Sequence, residues 1–308
     1  MKKVSIVGGG GNVGASAGLY LAERGLCEVL LVDIVEGIPQ GKGLDLLEAG
    51  PVRGYDARVT GTDQIADLKG SDVVLVTAGF PRKPGMSRTD LLTKNADIVG
   101  SIGTSIREYA PDAFVVVVSN PLDVMTYHMM KTTGFPAHRV MGMAGVLDSA
   151  RLRAFVSLEL KVAVTDVHAM VLGGHGDSMV PLPRYTTVSG VPITDLLDGA
   201  AIDRLVERTR KGGGEIVALL KSGSAYYAPG ASAALMVEAI LLDNKRLLPA
   251  AAYCDGQYGL QDVYVGVPVM LGAGGVEKIV ELPLDEAERA ALHKSAAEVK
   301  SAIAELGS

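Results

Sequence analysis

The 308-residue chain has no tryptophan, four phenylalanines and two cysteines. Cys27 and Cys254 are too few and too far apart in sequence for a disulfide framework or a cysteine-based metal site. A reducing compartment is the expectation that follows. Positive charge is also in short supply: 29 Lys and Arg stand against 35 Asp and Glu, a net charge of −6. Non-specific binding to a nucleic-acid backbone needs the opposite balance, so no nucleic-acid partner is expected. Long apolar runs are missing as well. The amino terminus, MKKVSIVGGGG, passes from two lysines through four mostly apolar residues into glycine, without the apolar stretch of a secretory signal. The segment Ala225 to Val237 is broken by Pro229 and Gly230 and ends at Glu238, too short to span a bilayer. Insertion into a membrane is not expected.

Glycine, by contrast, is abundant, at 38 of 308 positions against an average near ~7%. Many tight backbone approaches are implied. The length leaves room for about two domains. In the first half, short β-branched runs alternate with longer amphipathic segments, the pattern of βαβ units and a parallel sheet. Strands are predicted at Val4 to Val7, Val29 to Val32, Ala57 to Thr60, Val73 to Thr77, Phe114 to Ser119 and Arg139 to Met143. Helices are predicted near Val13 to Arg24, near Gly41 to Ala49, more weakly after Thr60, and over a long stretch ending about Tyr109. Val73 to Thr77 and Phe114 to Ser119 are nearly all apolar, as strands buried on both faces are.

The texture changes near residue 145. The expected organisation is a Rossmann-type doubly wound parallel sheet over 1–145, followed by a mixed α+β domain over 146–308. That second part should hold a helix from Asp148 to about Leu160, a β-like run Val167 to Leu172, and two glycine-rich helical segments, GGGEIVALLK and APGASAALMVEAILLDNKR. Strands turning at Gly272 to Gly275 and a closing helix capped by Asp285 complete it.

Gly9-Gly10-Gly11-Asn12-Val13-Gly14 fits G-x-G-x-x-G between a strand and a helix, the context that gives this motif its meaning. The first glycine permits the tight turn, the second a close approach to a pyrophosphate, and the third close packing of helix on strand. Gly8 extends the run to four. A register starting there would place Val13 at the helix-packing position, so Gly9, Gly11 and Gly14 are the assigned set. Asp33 ends the second strand, where a carboxylate accepts from a ribose diol and repels a 2′-phosphate. NAD is thus the expected cofactor.

Arg82 and Arg88 flank a Pro- and Gly-punctuated loop after a central strand, at the sheet edge where doubly wound folds bind ligands. Guanidinium groups there suit two-point recognition of a carboxylate, against the alternative of two solvated surface charges. The prolines and Gly85 suggest a lid. Asn120, in Ser119-Asn120-Pro121, could contact a nicotinamide ribose and substrate, or merely mark a turn. Asp148 could cap a helix or orient a base. Of five histidines, only His175 sits among glycines, in Gly173-Gly174-His175-Gly176-Asp177, which suggests space kept around an imidazole. A histidine oriented by a carboxylate carries protons near neutral pH.

In this order, GGGGNVG, VDIVEGIPQGKGLDL, TAGFPRKPGMSR, VSNPLDVMTY, GVLDSARLR and GGHGDSMVPLPRYTTVSG resemble the lactate/malate dehydrogenase superfamily over nearly the whole chain. The likeness is closest to its lactate-dehydrogenase-like bacterial malate dehydrogenases. The resemblance implies His175 as catalytic acid/base, Asp148 as its partner, Arg151 as anchor of the C1 carboxylate and Arg88 as the group polarising the reacting carbonyl. An arginine at position 82 resembles the malate type, where it pairs the distal carboxylate. Asn120 is implied near both substrate and nicotinamide ribose. The cofactor side would comprise Gly9, Gly11, Asn12, Val13, Gly14, Asp33, Asn95, Val118 and Asn120. Also implied are reversible oxidation of (S)-malate to oxaloacetate with NAD, a tricarboxylic acid cycle role, cytoplasmic location, a homotetramer or homodimer, and no metal. The rivals are a lactate or other 2-hydroxyacid dehydrogenase, a metal-using NAD-dependent glycosidase, and a non-catalytic NAD-binding protein. Arg82 speaks against the first, the distance of either cysteine from His175 against the second, and the Asp148, His175 and arginine set against the third.

Overall fold

The computed structural model describes residues 1–80 and 88–307, with the Arg88 side chain excepted. Arg82 and the segment Pro81 to Ser87, read above as a lid, therefore lie outside the described residues. The first half runs β1 (Lys2–Val7), α1 (Asn12–Arg24), β2 (Cys27–Val32), α2 (Ile38–Arg53), β3 (Val59–Thr62), β4 (Val73–Val76), α3 (Arg88–Tyr109), β5 (Phe114–Val117), α4 (Leu122–Thr133) and β6 (Val140–Gly142). The six strands lie in the order β6-β5-β4-β1-β2-β3, all parallel, which is the doubly wound arrangement expected. All four residues of β4 are buried, and each side chain of this apolar run has protein on its face of the sheet. On α1 the buried set Gly14, Ala17, Gly18, Leu21 and Ala22 follows helical spacing, and Gly25 ends the helix in a left-handed conformation at φ 64°. The weak helix expected after Thr60 is one turn of 3-10 helix, Ile65–Leu68. The second helix does not stop at Ala49. It runs through Pro51, whose missing N–H falls in the last turn, to a left-handed Gly54.

The second half continues with α5 (Gly145–Leu160), β7 (Val167–His168), β8 (Val171–Leu172), β9 (Val180–Pro181), β10 (Thr187–Val188), β11 (Val191–Pro192), α6 (Ile193–Leu196), α7 (Gly199–Leu220), α8 (Tyr227–Leu241), β12 (Arg246–Cys254), β13 (Val263–Gly272), β14 (Gly275–Ile279) and α9 (Glu286–Glu305). The run Val167 to Leu172 is not one strand. Its two halves pair in different small antiparallel sheets, β7 with β10 and β8 with β9, so the chain changes partners at Ala169-Met170. The turn at Gly272 to Gly275 is where it was expected, and Asp285 forms a full capping box with Glu288 at the head of α9.

One strand was not anticipated. β12 pairs along its length with β13 and touches β6 at Ala251 opposite Gly142, so β12, β13 and β14 extend the parallel sheet to nine strands. Pro249, which argues against a central strand, faces Pro268 across the ladder. Two facing prolines are tolerated at a non-hydrogen-bonded pair, where neither nitrogen donates to its neighbour. The halves are also joined where α8 packs on α1. A Cβ on Gly230 would lie 2.8 Å from Ser16 Cβ and 2.9 Å from the Ala17 nitrogen, so only glycine allows this approach. Arg24 and Glu238 add a two-point ion pair between the same helices.

Candidate active site

The loop between β1 and α1 is built from close contacts. The left-handed residue is Gly8, at φ 87°, not the Gly9 to which the tight turn was assigned. Gly9 instead serves packing: a Cβ there would meet Leu31 Cα at 2.8 Å. At Gly14 a Cβ would lie 2.6 Å from the Gly8 carbonyl oxygen and 2.9 Å from Gly9 Cα, the close helix-on-strand approach expected of the third glycine. Gly11 is the N-cap of α1 and is exposed, with Asn12 exposed and Val13 half-buried behind it. No side chain caps this helix, so its first-turn N–H groups are left for another acceptor. Asp33 leans over the loop, its Oδ2 accepting from the Gly10 N–H at 3.0 Å. A pyrophosphate fits the uncapped helix end, and a ribose diol fits the half-exposed Asp33 carboxylate. These residues suit NAD.

The loops after β4 and β5 are fastened to this one and to each other. Thr77 Oγ1 donates to the carbonyls of Val7 or Gly8, both at 3.2 Å, and Val118 N–H donates to Val76. Asn95, on α3 and 1% exposed, accepts from Phe80 N–H at 2.6 Å and donates to the carbonyls of Phe80 and Asn120, the latter at 2.7 Å. Both its amide hydrogens are used by backbone. Asn95 therefore acts as a clasp holding the loops in which a cofactor would sit, and its amide has no free donor for one. The Asn120 side chain is exposed.

His175 is held from four directions. Gly173 exchanges two backbone hydrogen bonds with Gly266 of β13, where any Cβ would lie 2.5 Å from the Gly173 oxygen. Gly174 N–H donates to Ser295 Oγ of α9 at 2.7 Å. His175 N–H donates to Asp123 Oδ2 of α4 at 2.8 Å, and the ring Nδ1 meets Asp148 Oδ2 of α5 at 2.9 Å. The neighbouring glycines also serve backbone packing. Gly173 and Gly174 let the backbone pack on Ser178, Ser295 and Val299, and Gly176 takes φ 120°.

Asp148 is not a cap. The helix begins at Gly145 with Ala144 as N-cap, and Asp148 lies one turn in with its side chain 2% exposed. Its other oxygen accepts from Arg151 Nη1 at 3.2 Å. Arg151 is tucked against α7, where a Cβ on Gly212 would lie 3.1 Å from Arg151 Cδ. Its Nε is buried and has no partner. Burial alone would push the His175 imidazole down, but the Asp148 carboxylate, reinforced by Asp123, outweighs it and holds the ring above its ordinary value. Burial pushes the Asp123 carboxyl up to about 6, despite the His175 N–H that favours its ionised form.

Asp123, Ser295 and the glycines of α7 were not singled out from sequence. For Asp123 a signal was present, a single carboxylate three residues after Asn120 at the start of an apolar helix. Among the described residues, no group of three or more His, Cys, Asp or Glu side chains could hold a metal ion, and no helix is long and apolar enough to cross a membrane.

A model of the lactate/malate dehydrogenase NAD binding domain matches residues 2–142, and one of the alpha/beta C-terminal domain of the same enzymes matches residues 145–307. The malate dehydrogenase of Thermomicrobium roseum is 59% identical over 302 residues, 98% of this chain and 97% of that one. That of Roseiflexus castenholzii is 55% identical over 304 residues, 99% of this chain and 98% of that one. The structure of the malate dehydrogenase from Salinibacter ruber superposes with a TM-score of 0.95 at 54% identity, covering 99% of this chain and 97% of that one. A lactate dehydrogenase from Cryptosporidium parvum, solved with lactic acid and nicotinamide adenine dinucleotide, gives 0.95 at 41% identity, covering 99% and 98%. With both halves matched and more than half of its residues shared with such relatives, the chain belongs to the lactate/malate dehydrogenase family and is an NAD-dependent oxidoreductase.

Proposed function

We propose that the chain is a malate dehydrogenase, oxidising (S)-malate reversibly to oxaloacetate with NAD and using His175 as acid/base. The observation that carries the acid/base assignment is one carboxylate, Asp148, shared between His175 Nδ1 and Arg151 Nη1. With Nδ1 engaged, Nε2 is the ring nitrogen left for substrate. In oxidation, neutral His175 takes the C2 hydroxyl proton at Nε2 while Asp148 stabilises the imidazolium. In reduction the same nitrogen returns that proton to the carbonyl oxygen. NAD supplies the hydride acceptor. Arg151, whose side chain keeps 13% exposure, orients the C1 carboxylate. Arg88 stabilises the negative oxygen that develops at C2, and Arg82 pairs the distal carboxylate. The last two assignments rest on the family resemblance, since Arg82 and the Arg88 side chain lie outside the described residues.

In this reading residues 1–145 hold the cofactor, residues 146–308 carry the substrate groups, and Asn120 serves both. Small dicarboxylates and further copies of the chain are its partners. Exposed Leu44, Leu47 and Val52 on α2 support assembly into a homo-oligomer, for which the resemblance favours a homotetramer. The same resemblance supports a cytoplasmic enzyme of the tricarboxylic acid cycle. The test is a steady-state comparison of oxaloacetate and pyruvate with NADH and NADPH, run alongside His175→Asn. Oxaloacetate with NADH should be the preferred pair, and His175→Asn should bind NADH yet turn over about 10²–10⁴-fold more slowly. Near-normal turnover in that variant would overturn the assignment.

A further inference from the structure

We propose that Asp123 is a positioning residue for the acid/base: its buried carboxylate fixes the backbone of His175 and supplies, from the α4 side, a second negative charge that holds the imidazolium. The proposal rests on the reading of His175 given above. Asp123 is 4% exposed and stands in the first turn of α4. Oδ2 accepts from the His175 N–H at 2.8 Å, whereas Oδ1 is fully buried and accepts from nothing.

If Asp123 served only to anchor the loop, one neutral acceptor would do the work, since there is one N–H to satisfy. A carboxylate there adds an orphaned oxygen and a desolvated charge, both unfavourable to the fold. The excess charge finds its use in the local balance. Among the described residues, the ionisable groups facing His175 are Asp148 and Arg151 of α5 and Asp123 of α4. Arg151 already neutralises one carboxylate, so without Asp123 the protonated ring would leave the cluster with surplus positive charge. With Asp123 ionised, two carboxylates balance one guanidinium and one imidazolium. When the proton passes from Nε2 to the substrate, the cluster is left with one uncompensated negative charge. Asp123 thus favours the protonated ring needed to reduce a carbonyl, and its own ionisation is favoured by that proton in turn.

The test compares Asp123→Asn and Asp123→Ala with the parent, using NADH binding as the check on folding and kcat/KM against pH in both directions as the readout. Asp123→Asn keeps an acceptor for the His175 N–H and removes the charge. It should bind NADH as the parent does. The alkaline limb of oxaloacetate reduction and the acidic limb of malate oxidation should both move to lower pH, by about one unit. Reduction measured above the shifted limb then falls about tenfold. Asp123→Ala should show the same shift and, with the N–H left unsatisfied, a further loss of kcat at every pH. Limbs that coincide with the parent's in Asp123→Asn would overturn the proposal. So would an Asn variant that does not fold or bind NADH, because the charge would then serve the fold. His175→Asn, run in parallel, separates the two readings: if it still turns over, the acid/base assignment fails. If it is inactive while Asp123→Asn keeps parental limbs, only the role of Asp123 fails.

Discussion

Three consecutive glycines in the interior of α7, Gly212, Gly213 and Gly214, each weaken that helix by about 0.8–1.0 kcal/mol relative to alanine. They differ in what an added Cβ would touch. At Gly212 it would stand 3.1 Å from Arg151 Cδ and 3.5 Å from Nε, at Gly213 3.4 Å from Nη2, and at Gly214 nothing lies within 4 Å. The three alanine substitutions therefore share a helix-propensity gain and differ in the pressure they put on one guanidinium. Gly214→Ala should raise Tm by roughly 1–2 °C and leave kinetics unchanged. Gly212→Ala requires Arg151, which is pinned to Asp148 on its other side, to move by a few tenths of an ångström. A misplacement of about 1 Å costs on the order of 10²-fold, so a loss of several-fold to about tenfold in kcat/KM for oxaloacetate is expected, with NADH affinity intact. Gly213→Ala should fall between. Differential scanning fluorimetry and steady-state kinetics on the three variants decide the matter. Equal kinetics for Gly212→Ala and Gly214→Ala would refute the idea that the glycine stretch makes room for Arg151.

Asp33→Ser removes the charge that opposes a 2′-phosphate, and the preference for NADH over NADPH should fall by about tenfold or more, corresponding to roughly 1.4 kcal/mol. An unchanged ratio would mean that Asp33 does not face the adenosine ribose. Arg82→Gln should lower the preference for oxaloacetate over pyruvate by a few hundred- to a few thousand-fold, since an unpaired buried charge costs roughly 3–5 kcal/mol. If the preference does not move on comparing kcat/KM for the two acids, the discriminating group lies elsewhere.

The parallel half of the fold is legible because its signals are local. β4 and β5 declare themselves as short apolar runs, and G-x-G-x-x-G lies between a strand and a helix in adjacent sequence. β12 fails that test: its Pro249 disqualifies it by local rules, and only the facing Pro268, nineteen residues on, makes the strand permissible. The split of Val167 to Leu172 is hidden for the same reason. Its apolar pattern is continuous, and its two halves are distinguished only by their partners, β10 for one and β9 for the other.

The candidate site divides along the same line. His175, Asp148 and Arg151 stand in recognisable runs, so the resemblance names them as candidates, and the structure brings the three together around the Asp148 carboxylate. Asp123 and Ser295 reach the same loop from positions 52 and 121 residues away, through a single backbone N–H each. A backbone donor leaves no mark in the sequence. The glycines around His175 carry a second role that the sequence does not show: a glycine beside a reactive side chain reads as clearance for that side chain. Here Gly173 and Gly174 also bring their own backbone against β13 and α9, which sets where the imidazole stands. The precision of the acid/base is therefore distributed over three elements that do not themselves touch substrate in the reading given above. Substitutions at Gly266, Ser295 or Asp123 should accordingly act on His175 without altering the residues that bind the dicarboxylate.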